Sequence, residues 1–90
     1  MKYGVRTDIP GMTEEQYNQM HSVLGPKGLA APGAIAHLAG PTRDGWYILE
    51  VWESKEDYER FEREEVLPLL PPDAPIPAVQ EFEVHTFQPS

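Results

Sequence analysis

The stretch "GWYILEVWESKEDYERF", residues 45–61, decides the fold. Side chains along an extended strand alternate between faces, so Trp46, Ile48, Glu50 and Trp52 share one side and Tyr47, Leu49 and Val51 the other. Both faces are apolar, and a strand apolar on both faces must be covered on both. Glu50 is the exception, because a carboxylate on a covered face is costly to desolvate unless it is paired or protonated. Ser54-Lys55-Glu56-Asp57 follows at once and has the form of a helix cap. The helix it opens, read over 55–66, carries Tyr58, Phe61 and Val66 on its apolar stripe. Pro68, which has no N–H for the preceding turn, is expected to end it.

Upstream, "AIAHLAG" at 34–40 is a short strand and "PTRDG" a turn, so residues 34–53 read as a β-hairpin. If the turn leaves 41 to 44 unpaired, His37 lies opposite Ile48 on the Glu50 face, whereas a one-residue change of register turns it away. At the N-terminus "KYGVRTDI" places Tyr3, Val5, Thr7 and Ile9 on one face. Thr13 with Glu14, Glu15 and Gln16 is a capping box with acidic residues at the positive end of a helix dipole. The helix is predicted from 13 to 24, with Tyr17, Met20, His21 and Leu24 on its buried stripe. "GPKGLAAPG" at 25–33 combines two prolines with three glycines and reads as a loop. After the proline-rich connector 68–78, "VQEFEVHTF" alternates Phe82, Val84 and Thr86 against Glu81, Glu83, His85 and Phe87 and reads as the last strand.

Strand, helix, strand, strand, helix, strand is the α+β, ferredoxin-like βαββαβ pattern. A single domain over 1–90 is expected, its antiparallel strands in the order 4-1-3-2 and both helices on one face. The other sheet face would then be bare, yet Tyr47, Leu49 and Val51 make it apolar. A second copy of the same sheet would cover it, so a homodimer is expected.

Composition narrows the function. A domain of 90 residues has a thin core and gains from a partner subunit. With 40% hydrophobic residues the chain should fold despite a net charge of -8. Basic residues number 7 against 15 acidic ones and are scattered, which argues against nucleic acid as a partner. The acidic run 53–66 reads as a solvated helix face. No cysteine is present, so thiolate metal sites are excluded. No signal segment or membrane span is legible, and a soluble, cytoplasmic protein is expected.

The quoted stretch resembles the strand and helix signature of the dimeric α+β barrel superfamily, in particular its antibiotic-biosynthesis-monooxygenase-like branch. There the third strand reads aromatic-x-apolar-x-Glu-x-Trp and runs into a Ser-capped helix. The resemblance implies a pocket between helices and sheet in each protomer, with the opposite sheet faces of two protomers closing a barrel. Trp52 matches the strand-three tryptophan of quinone-forming members, and Tyr58 falls where those carry a pocket tyrosine. Such enzymes oxidise phenolic or anthrone-like polyketides with molecular oxygen and no cofactor. Haem-degrading relatives use a strand-one asparagine and a second-helix histidine; neither is found here. The histidine-containing loop of the related cyclases is absent too.

The candidate proton-handling residues are His37, Glu50 and His85. Histidine titrates near neutrality and suits the removal of a phenolic or activated C–H proton. His37 could instead be a hydrogen-bonded structural residue, and His85 a strand-end or interface one. Glu50 could orient His37, bind a substrate hydroxyl, or pair structurally with Arg6 on the neighbouring strand or with a tyrosine. Trp46, Trp52, Tyr3, Tyr17, Tyr58 and Phe61, with His21, are core residues individually. Together they offer more aromatic surface than so small a core needs, which fits a pocket for a flat, apolar ligand. The three histidines lack metal-ligand spacing, so no metal or cofactor is expected. A monooxygenase acting on a small aromatic or polyketide-like ligand heads the functional readings. A histidine-based cyclase, isomerase or dehydratase and a non-catalytic ligand-binding dimer are the alternatives.

Overall fold

The computed structural model describes residues 1–74 and 76–89. Strand β1 (Lys2–Pro10) is followed by helix α1 (Glu14–Ala30), strands β2 (Ala34–Pro41) and β3 (Gly45–Trp52), helix α2 (Lys55–Phe61) and strand β4 (Ala78–Val84). The four strands form one sheet in the order β2-β3-β1-β4, with every neighbouring pair antiparallel. This is the expected order 4-1-3-2 read from the other edge.

Both helix starts have the expected caps. The Gln16 N–H donates to Thr13 Oγ1 at 3.1 Å and the Thr13 N–H to Gln16 Oε1 at 3.0 Å. The Asp57 N–H donates to Ser54 Oγ at 3.2 Å. Each bond satisfies a donor that the first helical turn leaves without a partner.

The reading of 25–33 as a loop is corrected. Helix α1 runs through Pro26 to Ala30. A proline disfavours helix in the residue before it largely through that residue's Cβ, and Gly25 has none. The actual stop is Pro32: Ala31, which precedes it, leaves the helix at ψ 134°, the extended conformation that a pre-proline residue adopts. Gly33 then takes a φ of +86°, where a side chain would be strained.

The end of the second helix also differs from expectation. α2 itself ends at Phe61, but the helical run continues past Pro68 through a π-helical turn, Glu62–Val66, and then a 3-10 turn, Leu67–Leu69. The Leu67 N–H reaches back five residues to the Glu62 carbonyl. Pro68 cannot donate to the turn before it, and it sits at the start of the 3-10 turn, where the missing N–H costs least. Pro75 of the predicted connector lies outside the described residues.

The hairpin register is shifted by two from the expectation. His37 pairs with Glu50, not Ile48, because Pro41 still pairs with Trp46. A shift of two preserves the face. A bulge between Ala34 and Ala36 breaks the alternation, so Ala34, opposite Trp52, and His37, opposite Glu50, both face the helices.

The core is small. Val5, Ile9, Ile48, Trp52, Tyr58 and Phe61 are buried, and no polar side chain is buried with them among the described residues. Val5, Trp52, Tyr58 and Phe61 form one cluster against which Tyr3, Leu24, Ala31 and Val66 pack. At roughly 1.5–3 kcal/mol for each fully buried large apolar side chain, this is a modest core for the chain's length. α1 contributes no buried residue, because a cavity separates much of it from the sheet.

Candidate functional site

The cavity lies between the helical layer and the sheet and has a volume of about 910 Å³. That is at the upper end of the range for small-molecule pockets. From α1 it is lined by Tyr17, Met20, His21 and Leu24, from β2 and β3 by His37, Ile48, Glu50 and Trp52, and from α2 and its π turn by Tyr58, Phe61, Glu62 and Val66. No lysine or arginine lines it among the described residues.

At one end the side chains form a chain of polar contacts. The Tyr17 hydroxyl lies 2.8 Å from His37 Nε2, and His37 Nδ1 lies 3.6 Å from Glu50 Oε2. A carboxylate facing Nδ1 favours the tautomer with the proton on that nitrogen. Nε2 is then the acceptor and Tyr17 the donor. Burial, followed by the charge of Glu50, raises the Tyr17 phenol above its ordinary range, so Tyr17 keeps its proton. Tyr17 stacks against Trp46 at 5.4 Å and against His21 at 5.4 Å, and His21 and His37 are 5.5 Å apart between ring centres. The His21 ring lies over Gly25, in space that a Cβ at 25 would need.

Beyond Glu50 the cavity wall is aromatic and acidic. Trp52 meets Tyr58 at 6.2 Å and Phe61 at 5.4 Å, and Tyr3 lies 6.1 Å from Tyr58. The Tyr3 hydroxyl donates to Glu81, and this bond, with burial and the Glu81 charge, pushes the phenol up to about 12. Burial is also the first cause holding the Tyr58 phenol high, with Glu62 and Glu81 next. Burial raises the Glu62 carboxyl to about 7, helped by the charges of Glu50 and Glu81. The buried indole N–H groups of Trp46 and Trp52 have no protein partner.

Of the residues singled out in the sequence, His37, Glu50, Tyr17, His21, Trp52, Tyr58 and Phe61 line this cavity. Trp46 and Tyr3 stand behind it, stacked on Tyr17 and packed near Tyr58. His85 is elsewhere: β4 ends at Val84, and His85 is exposed, its Nδ1 2.7 Å from Thr86 Oγ1. Of the alternatives open for Glu50, pairing with Arg6 is not made. Arg6 points to the opposite sheet face, where it binds Asp8 at 2.9 Å and covers the Tyr47 ring at 5.0 Å.

Sequence reasoning missed Glu62, which it placed on a solvated face. The available signal was spacing: Glu62 stands four residues after Tyr58, on the same helix face.

Among the described residues, no group of three His, Cys, Asp or Glu is arranged to hold a metal ion, and no helix is long and apolar enough to cross a membrane.

No family model matches the sequence, and no curated protein is significantly similar to it. Solved structures do match its fold. SnoaB, a cofactor-independent oxygenase from Streptomyces nogalater, solved as a mutant, superposes with a TM-score of 0.68 at 11% identity, over 99% of this chain and 97% of its own. A mutant of MhuD with two manganese protoporphyrin IX bound per active site gives 0.69 at 14%, over 100% of both chains. A haem-degrading protein from Mycobacterium tuberculosis, haem-free, gives 0.61 at 14%, over 99% and 98%. The chain therefore shares the fold of these solved structures.

Proposed function

We propose that this chain is a cofactor-independent enzyme of monooxygenase type, acting on a flat aromatic or polyketide-like molecule held between α1 and the sheet. The contact chain Tyr17–His37–Glu50 at the wall of an aromatic-lined cavity carries this reading. With Glu50 holding the Nδ1 proton, His37 Nε2 is a free base once a substrate hydroxyl or activated methylene displaces or joins Tyr17. Nε2 takes the proton, and the electron-rich carbanion reduces molecular oxygen. One oxygen atom ends in the new carbonyl and the other leaves as water, so that a methylene plus oxygen gives a ketone plus water. Tyr17, still protonated, is placed to return a proton to the peroxide oxygen.

SnoaB's description as a cofactor-independent oxygenase supports this reading at the level of fold. A porphyrin does not fit as well. Glu50 and Glu62 line the cavity and, among the described residues, no lysine or arginine does, so nothing there would neutralise the two propionates.

The proposal includes a soluble, cytoplasmic homodimer. Its support is the sheet face opposite the helices, where Leu38 and Phe82 remain 49% and 41% exposed beside Leu49 and Val51. Such a patch favours association.

The test is oxygen uptake by the purified protein with anthrones and hydroquinones. Turnover in air is expected, and His37→Gln should lower it by about two to four orders of magnitude. No uptake across such a panel would refute the oxygenase. Ring closure or proton exchange without oxygen would identify a cyclase or isomerase, and binding without turnover a ligand-binding dimer.

A further inference from the structure

We infer that the cavity selects its ligand by charge: it takes neutral or amine-bearing flat molecules and rejects those bearing a carboxylate, with Glu62 and Glu50 setting the preference. This rests on the cavity's use as a ligand site but not on its oxygen chemistry.

Glu50 comes from β3 and Glu62 from the first position of the π turn, and both line the cavity. Glu81 stands just behind, bonded to Tyr3. Arg6 is paired with Asp8 on the far sheet face, Lys27 with Glu65 at 3.0 Å and Arg60 with Asp57 at 3.0 Å; Arg63 of the π turn is exposed, and among the described residues no lysine or arginine lines the cavity. A ligand carboxylate would thus give up its water for like charges. An ammonium group would gain two carboxylates and the faces of Trp52 and Tyr58, which attract cations as well. Burial and the charges of Glu50 and Glu81 raise the Glu62 carboxyl together; that is the behaviour of carboxylates sharing one poorly solvated region. The π turn supports this placement, since an added residue in a helical turn re-aims the side chains at its start, and such turns favour functional sites.

The experiment uses three anthracenes that differ only in carrying an aminomethyl, a hydroxymethyl or a carboxylate group. None is an anthrone, so binding is read without turnover. Their affinities are measured by calorimetry at about pH 8, where Glu62 and the amine and carboxyl groups of the ligands are ionised and the alcohol is neutral. The ammonium form should bind about tenfold tighter than the alcohol, and the carboxylate about tenfold weaker, from charges interacting at close range in a partly dry site. Glu62→Gln and, independently, Glu50→Gln should each narrow this spread severalfold. Glu64→Gln, an exposed carboxylate on the same turn, changes the net charge equally and should leave the spread intact. Equal binding of carboxylate and alcohol would overturn the inference while leaving the oxygenase reading standing. So would a spread narrowed as much by Glu64→Gln as by Glu62→Gln. If none of the three binds, the inference falls together with the ligand cavity. Anthrone oxidation with no charge order separates the two claims in the other direction.

Discussion

Replacing Glu62 by glutamine should stabilise the protein, and only above a definite pH. In the unfolded chain this carboxyl titrates at its ordinary 4.5, whereas in the folded protein burial and the charges of Glu50 and Glu81 raise it to about 7. Between those values the folded state holds a proton that the unfolded state has lost, so stability falls as pH rises through the interval. Below about pH 4.5 both states are protonated and Glu62 costs nothing; above about pH 7 both are ionised and the full penalty is present. At 1.36 kcal/mol per unit the shift amounts to about 3 kcal/mol, and the water that still reaches a half-buried side chain reduces this to about 1–2 kcal/mol. Glutamine keeps the shape and cannot ionise. Urea unfolding of both proteins, at one fixed concentration because the stability of the proposed dimer would depend on it, should give the same free energy near pH 4. The variant should lead by about 1–2 kcal/mol near pH 8, equivalent to roughly 4–8 °C in Tm for each kcal/mol. A pH-independent difference would refute the shared, poorly solvated carboxylates, and a less stable variant at pH 8 would mean that ionised Glu62 has a favourable partner.

Tyr17→Phe removes the hydroxyl from His37 and keeps the ring stacked on Trp46 and His21; oxygen turnover should fall about tenfold or more, while anthracene affinity stays within about twofold. Pro26→Ala should raise stability by about 1–2 kcal/mol in thermal unfolding, because a proline inside a helix costs a hydrogen bond and the unfolded chain regains only part of that in entropy. Gly25→Ala should go the other way despite alanine's better helix propensity of about 1 kcal/mol, since a Cβ there meets the His21 ring; a stabilised Gly25→Ala would show that His21 is not held there. In size-exclusion chromatography the protein should elute at twice its chain mass of 10.2 kDa, and Leu38→Lys should shift it toward the monomer by placing a charge on the apolar sheet face.

Much of the fold was legible because its signals are local and strong. The two-faced strand at Trp46–Trp52, the Thr13 and Ser54 caps and the alternation in β1 each rest on a few adjacent residues, and they sufficed to order the sheet. What escaped depends on pairs of residues acting together. Pro26 alone reads as a breaker; Gly25 before it removes much of the clash that would break the helix. Pro68 reads as a stop, but a widened turn and then a tighter one carry the helix past it. The identity of His37's partner needed the register, which follows from the turn and from the bulge between Ala34 and Ala36. Glu62 was lost among its acidic neighbours because charge density was weighed before helical position.

These departures from local rule have a common location. Gly25 and Gly28 line the cavity and present no side chain to it, and the His21 ring takes the place that a side chain at 25 would fill. Leu29, beyond Pro26, lines the cavity as well, which a helix ending at Leu24 could not have achieved from the same wall. Opposite, the π turn begins at Glu62 and ends at Val66, both cavity residues. A proline within a helix, glycines on its inward face, a π turn and a half-buried carboxylate each cost stability, and a protein with so few buried side chains has little to spare. Sequences that break local rules do so mainly where function requires it. The concentration of all four around one cavity is therefore an independent reason to propose that cavity as the place where this chain acts.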